Sequence, residues 1–318
     1  MLSFNGLGQQ GRLGNQMFQY AFARAASIRN GAPFKLDLTW FDLRRRHRDY
    51  GLNRFNIIEE VATREEIAHL LHADRGRLAR RLLLIADKFR PPRRRCFVQE
   101  DLSRFDRTLL AVGPNAYVFG YFGSERYFAD AAEIIRREFT LRREADQKNA
   151  ELIRRIARSN AVCLSVRRGD FVASPLYDVC GPDYFQRAAA AIAERVAEPH
   201  FFMFSDDNEW LRRNLKLNYA HTFVTYNHPD FYEDLRLMNF CKHYVIPNSS
   251  FSWWGAWLTR NPGGVTIAPD RWLDLGALKS AWGTSPPSNP NADLNGDGTV
   301  GLLDLGILKK NWGKSGDA

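Results

Sequence analysis

No apolar run in this chain approaches the ~18 residues that a membrane-spanning helix requires, so an integral membrane protein is not expected. The first residues lack a basic segment followed by an apolar stretch, and no secretory leader is expected. Cysteine is scarce: Cys96, Cys163, Cys180 and Cys241 are scattered and form no C-x-x-C pair. Each is therefore expected to be a buried, reduced thiol of a cytosolic protein. Also missing is any RNA- or DNA-binding motif to accompany the positive charge, which argues against a nucleic-acid partner.

What is present is a chain of 318 residues, 45% of them hydrophobic, enough for one or two globular domains with a real core. The net charge of +9 is uneven. From Arg44 to Arg95 there are 15 Lys/Arg against 7 Asp/Glu, so this window alone carries +8. It contains Arg44-Arg45-Arg46-His47-Arg48 and Arg93-Arg94-Arg95, with Leu78, Leu82, Ile85 and Phe89 at helical spacing between them. A solvated basic helix accounts for this pattern. So does docking on anionic lipid, which makes the stretch a candidate for peripheral contact at the inner membrane face.

Helical and extended patterns alternate along the chain. The stretch after Gly14 has Met17, Phe18, Ala21, Phe22, Ala25 and Ile28 on one face, and Gly31 can stop that helix. PFKLDL follows as a strand. From about 160 to 268 the order is buried strand (160–166), alanine-rich helix (184–197), strand (200–205), helix around Trp210, strand HTFVTY, helix PDFYEDLRLMNFCKH, strand YVIPNSS and helix SFSWWGAWL. This is the βαβ rhythm of a parallel, doubly wound sheet. The first 150 residues read as a second, less regular α/β unit. Two such units facing across a cleft are expected, with ligands at the carboxyl ends of the strands. The expected division is 1–155, 156–272 and a tail over 273–318.

In that tail Pro286-Pro287-Ser288-Asn289-Pro290 reads as a linker. Asp293, Asn295, Asp297 and Asp304 fall at positions 1, 3, 5 and 12 of a calcium loop, with Gly298 at position 6 and the Thr299 carbonyl at 7. LDLGALKSAWG (273–283) and LDLGILKKNWG (303–313) share eight of eleven residues at a period of 30. The tail thus resembles a dockerin module, EF-hand-like and helical, with one intact calcium loop and one half lacking its loop ligands. Ca²⁺ is the ion this loop suits, and a cohesin-type protein is the partner the resemblance implies.

Near the start, Gly6-Leu7-Gly8-Gln9-Gln10-Gly11 is a literal G-x-G-x-x-G. A dinucleotide fingerprint needs a strand before the glycines and a helix opening at the third. Here only Leu2-Ser3-Phe4 could be that strand, and the helix opens after Gly14, so a nicotinamide site is not expected even though Asp37 could mimic the ribose-binding acid. Arg167 and Arg168 are more telling, because they directly follow a buried strand. Two guanidiniums there call for anions, and a diphosphate matches arginine forks two oxygens at a time. Asp170 can orient one fork; a structural Arg–Asp pair explains one arginine more easily than two. Asn248-Ser249-Ser250-Phe251-Ser252 precedes a helix, where free N–H groups favour an anion; plain serine N-capping is the alternative.

GRLGNQMFQYAFA (11–23), VRRGDF (166–171), FSDD followed by Trp210 (204–210) and EDLRLMNFCKHYVIPNSSFSWWGAWL (233–258) resemble the bacterial α-1,2-fucosyltransferases of glycosyltransferase family 11. The resemblance covers roughly residues 1–272. It implies a GT-B fold and inverting transfer of L-fucose from GDP-fucose to a galactose-terminated glycan, with no metal in catalysis. It assigns Arg167, Arg168 and Asp170 to the donor motif H-x-R-R-G-D, with Ser165 where that motif has histidine. Asn15 resembles the asparagine of a protein-O-fucosyltransferase motif near the transferring sugar, and Gly14 and Gln16 flank it. Ser205, Asp206, Asp207 and the 248–252 stretch are the further donor contacts. Asp206 or Asp207, at a strand end, can accept from guanine N1–H and N2–H₂, unless it serves as the N-cap of the helix containing Trp210. For the general base, Asp37 and Asp178 are candidates. The alternatives are another GDP-fucose-dependent transferase (α-1,6 or protein O-linked) and a dockerin-tethered assembly component with impaired catalysis.

Overall fold

A computed structural model describes residues 2–5, 7, 12–42, 50–73, 82–83, 85–87, 89–100, 105–169, 171–173, 180–259, 261 and 263–269. The chain divides into two units, the first running to Thr140 and the second starting at Leu141. The glycines of the G-x-G-x-x-G stretch, Asp170, Asp178, the arginine run at 44–48 and the whole dockerin-like tail, including Asp293, Asn295, Asp297, Thr299 and Asp304, lie outside the described residues.

The first unit holds a four-stranded parallel sheet of β1 (Leu2–Asn5), β2 (Phe34–Leu36), β3 (Phe97–Gln99) and β4 (Tyr117–Phe119), in the order β2-β1-β4-β3. Helix α1 (Leu13–Asn30) ends where expected, with Gly31 in the left-handed region at φ 58° donating its N–H to the Ile28 carbonyl. Its burial differs from the expected single face. Gln16, Gln19, Tyr20, Ala23 and Ala26 are buried as well, whereas Ile28 is exposed. The reason is that 3-10 turns at Leu52–Arg54, Glu125–Tyr127 and Ala129–Ala131 pack against α1, in addition to the sheet. Phe22 stacks on Phe122 with ring centroids 3.9 Å apart. Tyr20 donates to Glu138 Oε2 at 2.7 Å and Arg24 Nε to Glu138 Oε1 at 2.8 Å, tying α1 to the end of α3 (Ala132–Glu138); the intervening α2 (Arg64–Leu70) opens on a capping box of Thr63 and Glu66.

The second unit is the doubly wound sheet that the strand–helix alternation predicts. Five parallel strands, β5 (Asn160–Val166), β6 (Pro199–Ser205), β7 (His221–Val224), β8 (His243–Val245) and β9 (Thr266–Ile267), run in the order β7-β6-β5-β8-β9. β9 is the strand that the sequence pattern does not reveal, because two residues between a glycine pair and a proline carry no readable alternation. Side chains of β5 alternate between two cores. Val162, Leu164 and Val166 face helices α5 (Pro182–Ala193) and α6 (Asn208–Asn214). Ala161 and Cys163 face α4 (Gln147–Ala157) and α7 (Tyr232–Asn239), with Phe251 of α8 (Ser250–Trp257) packed on the same cluster. A strand buried on both faces reads as a nearly continuous apolar run, and β5 does, with the buried Ser165 as its one polar interruption after Asn160. The expected boundary at 155 moves to 140, because Leu152 and Ile156 of α4 pack on the second sheet. Cys163, Cys180 and Cys241 are buried, as expected, while Cys96 is only half-buried.

One buried polar chain crosses this unit. Asn149 Nδ2 donates to Asn227 Oδ1 at 3.0 Å, and Asn227 Nδ2 donates to Asp234 Oδ1 at 2.8 Å. Desolvation pushes the Asp234 carboxyl up to about 7, against the lowering effect of the Asn227 hydrogen bond. An acid raised in the folded state destabilises the fold once it must ionise, so its contribution falls as pH rises from the unfolded value, ~4, through about 7. Asp234→Asn removes this dependence. Urea unfolding of both proteins across pH 5 to 8 should show the wild type losing stability relative to the variant by up to ~1.4 kcal/mol per pH unit; parallel profiles would contradict the assignment.

Candidate functional site

The chain of the second unit leaves β5 toward β6 and β7 on one side and returns to β8 and β9 on the other. The carboxyl ends of β5 and β8 therefore form the switch point of the sheet, where open α/β folds bind ligands. Arg167 and Arg168 follow β5 here, and Asn248 and Ser249 lead from β8 into α8.

One carboxylate organises the arginine pair. Asp206 Oδ2 is 2.8 Å from Arg167 Nη1, and Asp206 Oδ1 accepts the backbone N–H of Arg168 at 2.8 Å. Asp206, just past the end of the neighbouring strand, thus holds the Arg167 fork; Asp170, the sequence's candidate for orienting one fork, lies outside the described residues. Gly169 makes this possible, because a Cβ at that position would stand 2.5 Å from Asp206 Oδ2. The Arg168 guanidinium lies over the Trp210 ring, 4.3 Å from its centroid, and that of Arg167 is 5.5 Å from the centre of Phe171. Asp207 is the N-cap of α6, accepting from Trp210 N at 2.9 Å, and the Ser205 hydroxyl accepts from Asp207 N at 3.0 Å. The cap fixes the first turn of α6 and hence the ring under Arg168. Both aspartates are engaged with protein groups, and Asp207 adopts the capping alternative.

The other side of the site is a helix start. Ser249 occupies the N-cap position of α8, but its side chain makes no capping hydrogen bond. That removes plain N-capping as the account of this serine and leaves the first-turn N–H groups and the helix dipole to face an anion. Asn248 is 7% exposed, and both Oδ1 and Nδ2 of its carboxamide are buried with no partner among the described residues. A buried amide of this kind costs roughly 1–3 kcal/mol unless something binds it. Ser252, in the first turn of α8, shares a 2.8 Å hydrogen bond with Ser165 near the end of β5, and both are buried. That contact sets how closely α8 approaches the arginines, and it is what Ser165 does at the position where the resemblance implies histidine. Ser250 is half-buried, and Phe251 packs edge-on against Phe231, with centroids 5.9 Å apart.

The remaining site candidates lie in the first unit. Gly14 and Gln16 are buried in the first turn of α1, and Gln16 Oε1 accepts from Gly51 N at 3.0 Å. Asn15 is half-buried in the same turn, its N–H donating to the Arg12 carbonyl at 3.0 Å. Asp37 is a structural anchor and not a base reaching outward. It is 3% exposed and accepts from Thr39 N at 2.9 Å, Thr39 Oγ1 at 2.6 Å and the Tyr117 hydroxyl at 2.6 Å.

Two contributors carry little chemical signal in the sequence. Gly169 is legible only as a glycine directly after paired arginines. Trp210 is legible only as an aromatic in the first turn of a helix that opens beside them.

Glycosyl transferase family 11 has a family model that matches residues 100–282. An alpha-1,2-colitosyltransferase from Escherichia coli is 31% identical over 281 residues, which cover 85% of this chain and 92% of that protein. The O-antigen biosynthesis glycosyltransferase WbnK, also from Escherichia coli, is 29% identical over 288 residues, 83% and 93% of the two chains. The galactoside 2-alpha-L-fucosyltransferase SEC1 of Bos taurus is 30% identical over 169 residues, 48% and 45% of the two chains.

If Asn248 is held unsatisfied for a ligand, Asn248→Ala should leave the melting temperature unchanged or higher while weakening binding of guanosine diphosphate by about tenfold, ~1.4 kcal/mol. Calorimetric titration and thermal unfolding of the same preparation read both effects. Unchanged affinity with a lowered melting point would mean that the amide serves the fold alone.

Proposed function

Because the chain belongs to glycosyl transferase family 11, we propose that it transfers L-fucose from GDP-fucose to a galactoside hydroxyl, forming an α-1,2 linkage with inversion at the anomeric carbon. The observation that carries this reading is the arrangement at the end of β5. Two guanidiniums held by one carboxylate and one aromatic ring stand beside an uncapped helix start and an unsatisfied amide. A diphosphate has the charge and the paired oxygens that arginine forks and helix N-termini bind.

Departure of GDP concentrates negative charge on the β-phosphate while the sugar ring passes through an oxocarbenium-like state. Arg167, Arg168 and the first-turn N–H groups of α8 meet that charge without reorganising, because Asp206, Trp210 and the Ser165–Ser252 contact already hold them. Preorganised donors of this type contribute ~3 kcal/mol each to lowering the barrier. The acceptor hydroxyl attacks from the opposite face of the ring.

The similarity to an alpha-1,2-colitosyltransferase favours a second reading of the donor, in which the transferred sugar is colitose. Fucose and colitose differ by one ring hydroxyl, so the diphosphate chemistry is the same in both. Transfer assays with each GDP-sugar and a galactose-terminated oligosaccharide, with product linkage read by NMR, separate the two. The fucose reading expects an α-1,2-fucosylated product, and a product formed only with GDP-colitose would reassign the sugar. Arg168→Lys replaces a planar fork stacked on Trp210 with a point charge. It should lower kcat about a hundredfold with the fold intact, and near-wild-type turnover would remove Arg168 from the mechanism.

A further inference from the structure

In the first unit, residues 82–83 and 85–87 are helical, and three apolar side chains there point away from the protein. Leu82 is 58% exposed, Ile85 45% and Phe89 86%. Their spacing of three and four places them on one helical face. Asp87, on the opposite face, is buried and accepts from Cys96 N at 3.0 Å and Phe97 N at 2.8 Å, which fastens the segment to the start of β3. The chain then turns through Pro91 into a 3-10 turn at Pro92–Arg94. Gly113 lies directly beneath this turn, where a Cβ would meet the Arg93 carbonyl at 2.1 Å. The result is a hook pinned at two points on its inner side. Phe89 and the side chains of Arg93 and Arg94 face outward, while Arg90 Nη1 reaches back to Asp87 Oδ1 at 3.5 Å.

Charge decides what the hook fits. Residues 75–95 contain nine Lys/Arg and one acid, and that acid is the inward-facing Asp87. An exposed apolar face bordered by arginines, with no outward carboxylate, matches an anionic lipid surface. Apolar side chains enter the acyl boundary while guanidiniums meet headgroup phosphates. A nucleic acid would use the charge but has no site for Leu82 and Ile85. We propose that the 82–95 hook docks the protein on anionic membranes. This inference is independent of the transfer reaction, because vesicle binding is measured without donor or acceptor.

The experiment is flotation of the full chain with vesicles of phosphatidylcholine alone or mixed with phosphatidylglycerol, at low and high salt. The wild type should float with the mixed vesicles at low salt and not with pure phosphatidylcholine. Leu82→Ser/Ile85→Ser/Phe89→Ser should abolish flotation. Arg93→Gln/Arg94→Gln should weaken it about fivefold per arginine. Both variants change exposed side chains, so thermal unfolding and solution transfer to a soluble acceptor should match wild type. Equal flotation with neutral vesicles, no flotation at all, or flotation untouched by either variant would overturn the proposal. So would binding to RNA or to an acidic protein that persists after the apolar triad is removed while vesicle binding is absent.

Discussion

The Asp206 carboxylate is the interaction on which the site depends. With one oxygen it holds the Arg167 side chain and with the other the Arg168 backbone N–H, so two adjacent cations are fixed by a group on the next strand. The Arg168 guanidinium itself lies over the Trp210 ring, 4.3 Å from its centroid. The parallel register that aligns Val166 with Ser205 places Asp206 beside Arg167. The absence of a side chain at Gly169 lets that carboxylate approach. Sheet topology, strand register and one glycine together fix this arrangement, which the proposed function reads as a diphosphate site.

Preparation on the other side is of a different kind. The Ser249 side chain makes no capping hydrogen bond at the start of α8, and the Asn248 amide is buried with no partner among the described residues. Buried polar groups left without a partner cost stability, and a polar, negatively charged ligand is what the proposed function would place against them. The Ser165–Ser252 hydrogen bond connects the two sides with a short, buried contact. A histidine at 165 would bring a larger ring into this space, so the serine pair is a specific solution to packing α8 against β5 in this chain.

Much of the second unit was legible in the sequence, because β5 and β6 are buried on both faces and read as predominantly apolar runs that lead into polar residues. Placement of the arginines at a strand end followed directly. The identity of their partner did not, since Asp206 lies 38 positions from Arg168 and only strand pairing brings the two together. Register is a tertiary property, so Asp206 could not be read as that partner, and Asp170, the local candidate, lies outside the described residues. Asp207 looked as suited to a base edge as Asp206, and the distinction came from a capping hydrogen bond. In the first unit, α1 was visible but its all-round burial was not, because the 3-10 turns that cover its outer side have no periodicity of their own. The exposed face at Leu82, Ile85 and Phe89 could be drawn as a seam from the sequence, but whether it faced a core or solvent needed the position of Asp87.

The most direct test of the central claim is a crystal structure of the full chain with GDP bound. The account predicts the pyrophosphate at the carboxyl ends of β5 and β8, within hydrogen-bonding distance of the Arg167 and Arg168 guanidiniums, the Asn248 carboxamide and the first-turn N–H groups of α8. A pyrophosphate bound elsewhere, with Asn248 still unsatisfied and Arg168 still resting on Trp210 out of its reach, would contradict it.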